Sequence, residues 1–452
     1  MTRTFLKSVQ AGVLALMAFV SASAQDYPSR WTLRQCIDYA LSHNIQLQQS
    51  IISRSQSEAD YDRSRGNLLP SLSFSTNHNV SWRPFSESTV NLSGGTFTTS
   101  QNEVSYNGSY GINANWTVWN GGINHQNVKR SRLSTEIADQ AVQQTANTIQ
   151  EQIVQYYVQI LYQTEAVKVN AEILEGSKVQ RDRAKEMVDI GSLARADLAQ
   201  MEAQVSQDEY NLVNSEVALS NTKLQLKQLL ELVMLDNFDV ETPEIDDARV
   251  LETLPSKEEV YQLALANRPE IQQANMNVEA SKLDVNIARR GYYPTVSLTA
   301  GVGSSNSSAS DDALFKQLKN NMNNTIGLTV SVPIFDGRQN KTNLSKARLS
   351  LQSSELDLQN ARQELFAQIE TYWLNAHNAQ QQYKYAQSNL KSQEASWELL
   401  DAQFSVGLKN IAELITGKNN LIQAKQSLLQ AKYTALLNLA MLRFYEGYEM
   451  RL

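Results

Sequence analysis

The chain repeats itself. Ala40-Leu41 and Leu47 recur as Ala264-Leu265 and Ile271, and Pro70 recurs as Pro294, at a separation of 224 residues (264 − 40 and 294 − 70). Further along, Trp119-Asn120-Gly121 recurs as Phe335-Asp336-Gly337 and Gly191 as Gly407, at a separation of 216 (337 − 121 and 407 − 191). Landmarks that keep their order over half a chain mean that each half is a unit built to the same plan. The eight residues lost (224 − 216) fall between Pro294 and Phe335, in a Ser/Asn-rich stretch where a loop absorbs deletions. A connector rich in Asp, Glu and Pro joins the halves. The expected units are therefore residues 25–235, a connector over 236–255, and residues 256–452.

Each half reads as helix, strand, loop, strand, long helix, tight turn, helix. The strands alternate with period two, which gives a sheet one apolar and one polar face. Between Ser71 and Trp82 one face carries Leu72, Phe74, Val80 and Trp82, and the other carries Ser and Asn. From Val104 to Val118 the apolar side holds Val104, Tyr106, Tyr110, Ile112, Ala114, Trp116 and Val118. The second half repeats this with Val296, Leu298, Ala300 and Val302, then Ile326, Leu328, Val330, Val332 and Ile334. An ordinary sheet with one face on a core would show the same alternation. A membrane β-barrel would also show it, with apolar residues toward lipid and small polar ones toward a lumen. The polar face is almost free of charge. Trp82, Trp116, Trp119, Tyr106 and Tyr110 are expected near segment ends, where an interfacial girdle would sit. Four strands cannot close a barrel alone, and lipid does not tolerate open edges, so membrane strands would require several chains in one barrel.

The helices carry heptads. Leu198, Val205, Leu212, Leu219 and Leu226 recur every seven residues, and Leu414, Leu421, Leu428, Ala435 and Leu442 do the same 216 residues on. A neighbouring seam of Ile415, Ile422, Leu429 and Leu436 widens the stripe in the second half. Sustained heptads predict coiled-coil packing. No proline interrupts 122–190 or 337–406, so each stretch predicts one continuous helix roughly 100 Å long at 1.5 Å per residue. The returning helix after Gly191 and an opening helix from Thr32 to about Arg65, laid end to end, match one such rod. The expected architecture is two helical hairpins per chain, with the connector at mid-height.

With 18 Gly and 8 Pro in 452 residues, few breaks are available, which agrees with long elements. The formal charge of -7 disfavours nucleic acid as a partner. Cys36 alone permits no internal disulfide and is expected as a buried helix residue. His43, His78, His125 and His377 are scattered, so no metal site is expected. Gly301-Val302-Gly303 lies on a strand, without the following helix that phosphate binding needs. No nucleophile–base set is present, and neither a cofactor nor enzyme activity is expected. Arg3 and Lys7, the apolar run Val9–Val20 and Ala22-Ser23-Ala24 read as a signal peptide over residues 1–24. Its removal takes two positive charges and leaves -9 (-7 − 2).

Taken together, the sequence resembles the TolC family, the outer membrane efflux and secretion channel proteins of Gram-negative bacteria. The resemblance rests on the doubled Ala-Leu entry helix and on Pro70 and Pro294 before the first strands. It rests also on Val332-Pro333-Ile334-Phe335-Asp336-Gly337 after the last strand. The turns Ile190-Gly191-Ser192 and Val406-Gly407-Leu408, followed at +6 by Asp197 and Glu413, complete it. The fold class it implies is mixed α and transmembrane β. Four β-strands per protomer would contribute to a shared twelve-stranded barrel in a homotrimer, continued by a long α-helical coiled-coil tunnel across the periplasm. The implied partners are outer membrane lipid, a periplasmic membrane fusion (adaptor) protein, and an inner-membrane efflux transporter or ABC transporter.

Gly191 and Gly407 end long helices, where the left-handed residue is most easily glycine. In the family these turns form the periplasmic entrance and the adaptor-contacting tips, which the resemblance carries onto Ile190, Gly191, Ser192, Val406, Gly407 and Leu408. Ser192 stands where the second turn has Leu408. The family also closes its entrance with an aromatic, a basic residue and carboxylates. The matching positions are Phe404, Lys409, Glu413 and, in the first repeat, Asp197. Phe404 lacks a tyrosine hydroxyl, and Thr416 takes the place of a second carboxylate. A Lys409–Asp197 link between hairpins would serve as a gate, while a solvated i,i+4 pair of Lys409 with Glu413 would be ordinary helix chemistry.

The function this implies is a passive exit duct of a tripartite pump exporting drugs or other small molecules, an efflux choice made on frequency within the family. A type I protein secretion channel uses the same duct. A periplasmic coiled-coil scaffold or adhesin is the alternative from another class.

Overall fold

The computed structural model describes residues 28, 30–92, 95–234, 237–243 and 246–451, with backbone alone over 85–92 and 95–103. The expected signal peptide, and residues 236, 244 and 245 of the connector, lie outside the described residues. In chain order the first half runs α1 (Leu33–His43), α2 (Ile45–Gly66), β1 (Ser71–Leu92), β2 (Gly95–Asn120), α3 (Ile123–Asp189) and α4 (Arg195–Leu229). After the short α5 (Asp247–Val250), the second half runs α6 (Lys257–Asn267), α7 (Pro269–Arg290), β3 (Thr295–Ser307), α8 (Leu314–Asn320), β4 (Asn323–Ser331), α9 (Gln339–Ser405) and α10 (Ile411–Glu446). The limits of α1 and α2 recur in α6 and α7 at the 224-residue offset, and those of α3 recur in α9 at 216.

The rods are continuous: α3 and α9 each span 67 residues, roughly 100 Å at 1.5 Å per residue. Both begin from left-handed backbone, at Gly122 (φ 79°) and at Arg338 (φ 72°). The heptad seams are buried or half-buried along α4 and α10, with Val205, Leu226, Leu414, Ala435 and Leu442 among the most enclosed.

The opening helix departs from expectation. The single helix expected from Thr32 to Arg65 is broken at Asn44, whose extended backbone (ψ 127°) ends α1 and whose side chain accepts from the Leu47 amide to cap α2. An asparagine that offers its own acceptor to a new helix N-terminus outcompetes continuation of the old one. Asn44 Nδ2 also donates to the Leu229 carbonyl (2.9 Å), fixing the end of α4 against the α1–α2 junction. The stacked pair facing each rod thus meets at a hydrogen-bonded joint.

At the equivalent position in the second half, Arg268 precedes Pro269 at the start of α7. Pro at a first helical turn removes a donor that has no partner there anyway, while the residue before it is pushed into extended backbone. The guanidinium is largely buried, bonds Glu270 (2.8 Å) and Glu151 (3.0 Å), and lies 4.1 Å from the Tyr445 ring centroid. That ties α3, α7 and α10 together at one level.

The largest apolar core sits at this mid-height, gathering Trp31, Cys36, Ile153, Tyr157, Leu226 and Met441 among others. Cys36 is fully buried, as its pattern predicts, and burial pushes its thiol up to about 12. The connector is bound here: Trp31 pairs with Val240 in a parallel bridge, and the Tyr157 hydroxyl donates to the Glu241 carbonyl (2.7 Å).

The strands form one antiparallel sheet in the order β1-β2-β3-β4. Its register unites the predicted faces. Phe74 stands opposite Ile112, Ile112 opposite Val302, Trp116 opposite Leu298, and Leu298 opposite Leu328. On the other face Ser73 meets Asn113, Asn113 meets Gly301, and Gly301 meets Thr325.

Two expectations about the strands are corrected. The stretch between Trp82 and Val104, read as loop, continues the hairpin to Leu92 and Gly95, past a register shift between Arg83 and Ser86. Pro84 lies in that shift, where its missing N–H costs no ladder bond. Trp82 and Tyr106 therefore sit within the ladder, and Trp116 and Trp119 are the tryptophans near a strand end. In the second half β4 stops at Ser331, because Pro333 cannot donate to a ladder; Val332 and Ile334 lie beyond it. The loop before β4 holds α8, which the sequence did not signal.

Candidate functional site

The far ends of the two hairpins carry the candidate tips. Each rod ends in the same double hydrogen bond. Gly191 N–H donates to the Val188 carbonyl (2.9 Å) and Ser192 N–H to Met187 (2.8 Å). Gly407 N–H donates to Phe404 and Leu408 N–H to Gln403, both at 2.9 Å. This is the Schellman arrangement, which satisfies the last carbonyls and demands a left-handed residue at its centre. Gly191 (φ 79°) and Gly407 (φ 76°) supply it. The turns leave Ile190 at 80%, Val406 at 69% and Leu408 at 75% exposure. Three large apolar side chains thus stand in solvent at the ends of the rods.

Behind the tips lies a small core shared by both hairpins. Ala184 from α3, Met201 from α4, Phe404 from α9, and Ile411 and Leu414 from α10 are buried together. Phe404, a gate candidate by its position, is 2% exposed and is a core member of its own protomer.

Lys409 and Glu413 are brought together. Lys409 Nζ donates to Glu413 Oε1 (2.6 Å), while Glu413 Oε2 accepts from the Asn410 amide (3.3 Å) and the Asn410 side chain accepts from the Glu413 amide (2.9 Å). The carboxylate therefore closes a capping box on α10 and holds the lysine at once. The Lys409 hydrogen bond first, and the Asn410 amide second, keep the Glu413 carboxyl below the ordinary carboxylate range. Asp197 occupies the matching place in the first turn of α4, but Ala194 stands where α10 has Asn410, so no capping box forms there. Within the protomer, among the described residues, the ion-pair partner of Lys409 is Glu413 and not Asp197. Thr416 bonds back to the Ala412 carbonyl (2.7 Å) of its own helix.

At the opposite end, most of the apolar face of the sheet lies bare among the described residues. Leu72, Phe74, Val80, Trp82 and Val104 are 64–75% exposed, and Ile326 reaches 84%. Among the described residues no helix is long and apolar enough to cross a membrane.

Comparison with known proteins gives this bare face its setting. The outer membrane efflux protein family matches residues 36–231 and 260–447. The chain belongs to the outer membrane efflux protein family.

The outer membrane protein TolC of Escherichia coli K12 is a relative within it, 22% identical over 278 residues that cover 57% of this chain and 53% of TolC. The chain spans about half the length of the curated relatives it matches. Solved structures share the fold across nearly the full length. A membrane protein from Pseudomonas aeruginosa superposes with TM-score 0.77 at 17% identity, covering 92% of this chain and 93% of the other. The outer membrane protein VceC of Vibrio cholerae gives 0.75 at 16%, covering 93% and 97%. Family membership places the chain in the outer membrane with its helices reaching into the periplasm.

One polar centre in this family member escaped the sequence reading. Between the hairpins, Lys418 Nζ on α10 donates to Asp208 Oδ2 on α4 (2.7 Å), with side chains only 7% and 1% exposed. Ser177 on α3 donates to the same oxygen, and Gln204 Nε2 donates to Oδ1 (2.9 Å). Closer to the tips, Asp401 on α9 accepts from Gln180 (3.4 Å) and pairs with Arg183 (3.5 Å). The signal was available: Asp208 falls three residues after the seam residue Val205, and Lys418 falls four after Leu414. Charges at core positions of a heptad seam mark a buried partner.

Proposed function

We propose that three copies of this chain form a passive exit duct, a shared twelve-stranded barrel in the outer membrane continued by an α-helical tunnel through the periplasm. The observation that carries this reading is the four-stranded sheet with a bare apolar face and both edges open. About eight strands are the fewest that enclose an interior, and lipid rejects unpaired edges, so copies must complete the ring. The helical layer supports the same closure. On α2, which precedes edge strand β1, Ile45, Ile51 and Ile52 are exposed, and on α9, which follows edge strand β4, Leu349 and Leu356 are exposed, so both helices offer apolar sides. Each half of the chain supplies one hairpin of strands and one of helices, as a duplicated gene would.

In this reading the Ser, Asn and Thr face lines an uncharged lumen suited to small molecules. Ile190, Val406 and Leu408, with the turns Gly191-Ser192 and Gly407, offer apolar knobs to a periplasmic adaptor protein. An inner-membrane transporter supplies the energy. The entrance rests closed, with Lys409 of one hairpin reaching Asp197 of the next protomer; to do so it must leave Glu413, a partly exposed pair of low cost. An adaptor opens such an entrance by binding the open tips better than the closed ones.

The test is single-channel conductance in planar bilayers. The purified protein is expected to conduct in small, mostly closed steps. Lys409→Glu should raise the conductance, and Lys409→Glu with Asp197→Lys should restore it. Absence of any conductance argues against a duct. An unchanged Lys409→Glu leaves the duct and removes the charged gate.

A further inference from the structure

The loop between β3 and β4 packs a short helix against the outside of the sheet. Ser304 Oγ donates to the Leu318 carbonyl (2.6 Å), and Asn321 Nδ2 donates to the Ser305 carbonyl (2.7 Å). Gln317 is buried; its Oε1 accepts from the Ser307 amide (2.8 Å), and its Nε2 donates to the carbonyls of Ser310 (3.3 Å) and Asp312 (2.6 Å). Ser304 pairs with Tyr110 and shares its parity with Val302 and Leu298, so its bond sets α8 against the apolar face, while the Ser305 and Ser307 bonds satisfy backbone groups of β3 beyond Gly303, where its pairing with β4 ends. Polar groups are turned inward to hold the helix, and apolar ones are turned out: Leu314 is 46% exposed and Phe315 85%. A soluble loop would be arranged the other way round.

The height of the helix gives its exposed side a destination. Trp119 pairs with Val296 and meets Tyr293 edge-on, which marks the periplasmic end of the apolar band with aromatic residues. From Val296 to Ser304 is eight steps of strand (304 − 296), roughly 26 Å at ~3.3 Å per residue and about 20 Å of height at the usual barrel tilt. An outer membrane apolar band is about 25 Å tall, so α8 lies where the outer leaflet meets its headgroups. Leu318 and Met322 continue the belt, flanking a groove with Phe74, Ile112 and Val302. Lys319, four residues after Phe315 and so on the same outward side, is exposed, as is Lys316, which pairs with Asp312 (2.7 Å). Long basic side chains at this level reach upward to anionic headgroups while their stems stay in the apolar layer.

We infer that α8 is an interfacial anchor, lying in the outer leaflet with Leu314 and Phe315 among acyl chains. This rests on the sheet being lipid-facing, as proposed above. The occupant of the surface is lipid, because Leu318 and Met322 are continuous with the exposed apolar face of an outer membrane protein. A helix clamped at this depth fixes the barrel vertically and stops the long loop from folding over the lumen.

Spin labels separate the cases. Phe315→Cys, Ile326→Cys and Asp311→Cys are each labelled with a nitroxide and reconstituted into phosphatidylethanolamine/phosphatidylglycerol vesicles. Cys36 is fully buried and stays unlabelled. Relaxation by oxygen reports lipid, and relaxation by a water-soluble nickel chelate reports solvent. The expected result is oxygen access at 315 and 326, and nickel access at 311. Nickel access at 315 with oxygen access at 326 overturns the anchor and leaves the lipid-facing sheet intact. Nickel access at 326 overturns the membrane sheet itself, and the anchor with it.

Discussion

A Cβ added to Gly407 would meet no atom within 4 Å, so the position demands glycine for its backbone alone. Gly407→Ala should therefore cost roughly 1–2 kcal/mol of local stability from the left-handed backbone, without any clash. Hydrogen exchange at the Leu408 amide should accelerate about tenfold while the mid-height core is unaffected; equal rates would mean that the turn relaxes freely. The buried Asp208–Lys418 pair behaves oppositely, since its value lies in its partners. Asp208→Ala strands a buried ammonium and should destabilise the tips by about 3–5 kcal/mol, whereas Asp208→Leu with Lys418→Met should be close to neutral. Protease susceptibility of the tips on heating distinguishes the two; a double variant as weak as the single one would refute the reading. Glu413 gives a pH signature. Its depressed carboxyl contributes stability above the unfolded-state pKa and loses it only as pH falls through the lowered one. A ¹³C titration should place its midpoint below that in Lys409→Met, and identical midpoints would show that the lysine contributes nothing. The tip glycines are legible because spacing alone exposes them, whereas the Asp208–Lys418 pair was missed although its heptad positions carry the signal. The burial of Phe404 was not legible, since its position beside the turn is equally compatible with a core or an entrance.

Among the elements, the long ones were the most legible. Heptad periodicity accumulates over dozens of residues in α4 and α10, an unbroken run without proline marks α3 and α9, and alternation marks the two faces of the sheet. The breaks at Asn44 and Arg268 depended on single residues, an asparagine able to cap and a proline able to start. The extension of β1 past Pro84 depended on a bulge that no pattern announces. The helix α8 is seven residues long, too short for a period to accumulate, and its bonds come from Gln317 and Ser304 rather than from a sequence motif. The sheet also yields a paired test. Ile326 stands opposite Ala300, near the middle of the apolar band, and Thr325 stands opposite Gly301 on the polar face. Ile326→Arg should cost about 2–4 kcal/mol and deplete the protein from the outer membrane, whereas Thr325→Arg should assemble normally and shift ion selectivity. Equal tolerance of both substitutions would show that the face at Ile326 does not meet lipid.

At the scale of the molecule, the two helical hairpins, one from each half, meet at one mid-height core, and the connector is hydrogen-bonded to Trp31 at that level. The large core belongs to this waist, while among the described residues the tips share only a small core and the sheet none of comparable size. Among the described residues both the sheet and the helical layer present open edges, a liability within one chain that the proposed ring would turn into interfaces. The family and its outer membrane setting follow from the matched residues, whereas the number of copies rests on closing the barrel. Native mass spectrometry of the protein extracted from outer membranes in mild detergent tests that claim most directly. A complex of three chains that survives extraction is expected. A stable single-chain species from the same membranes would contradict it.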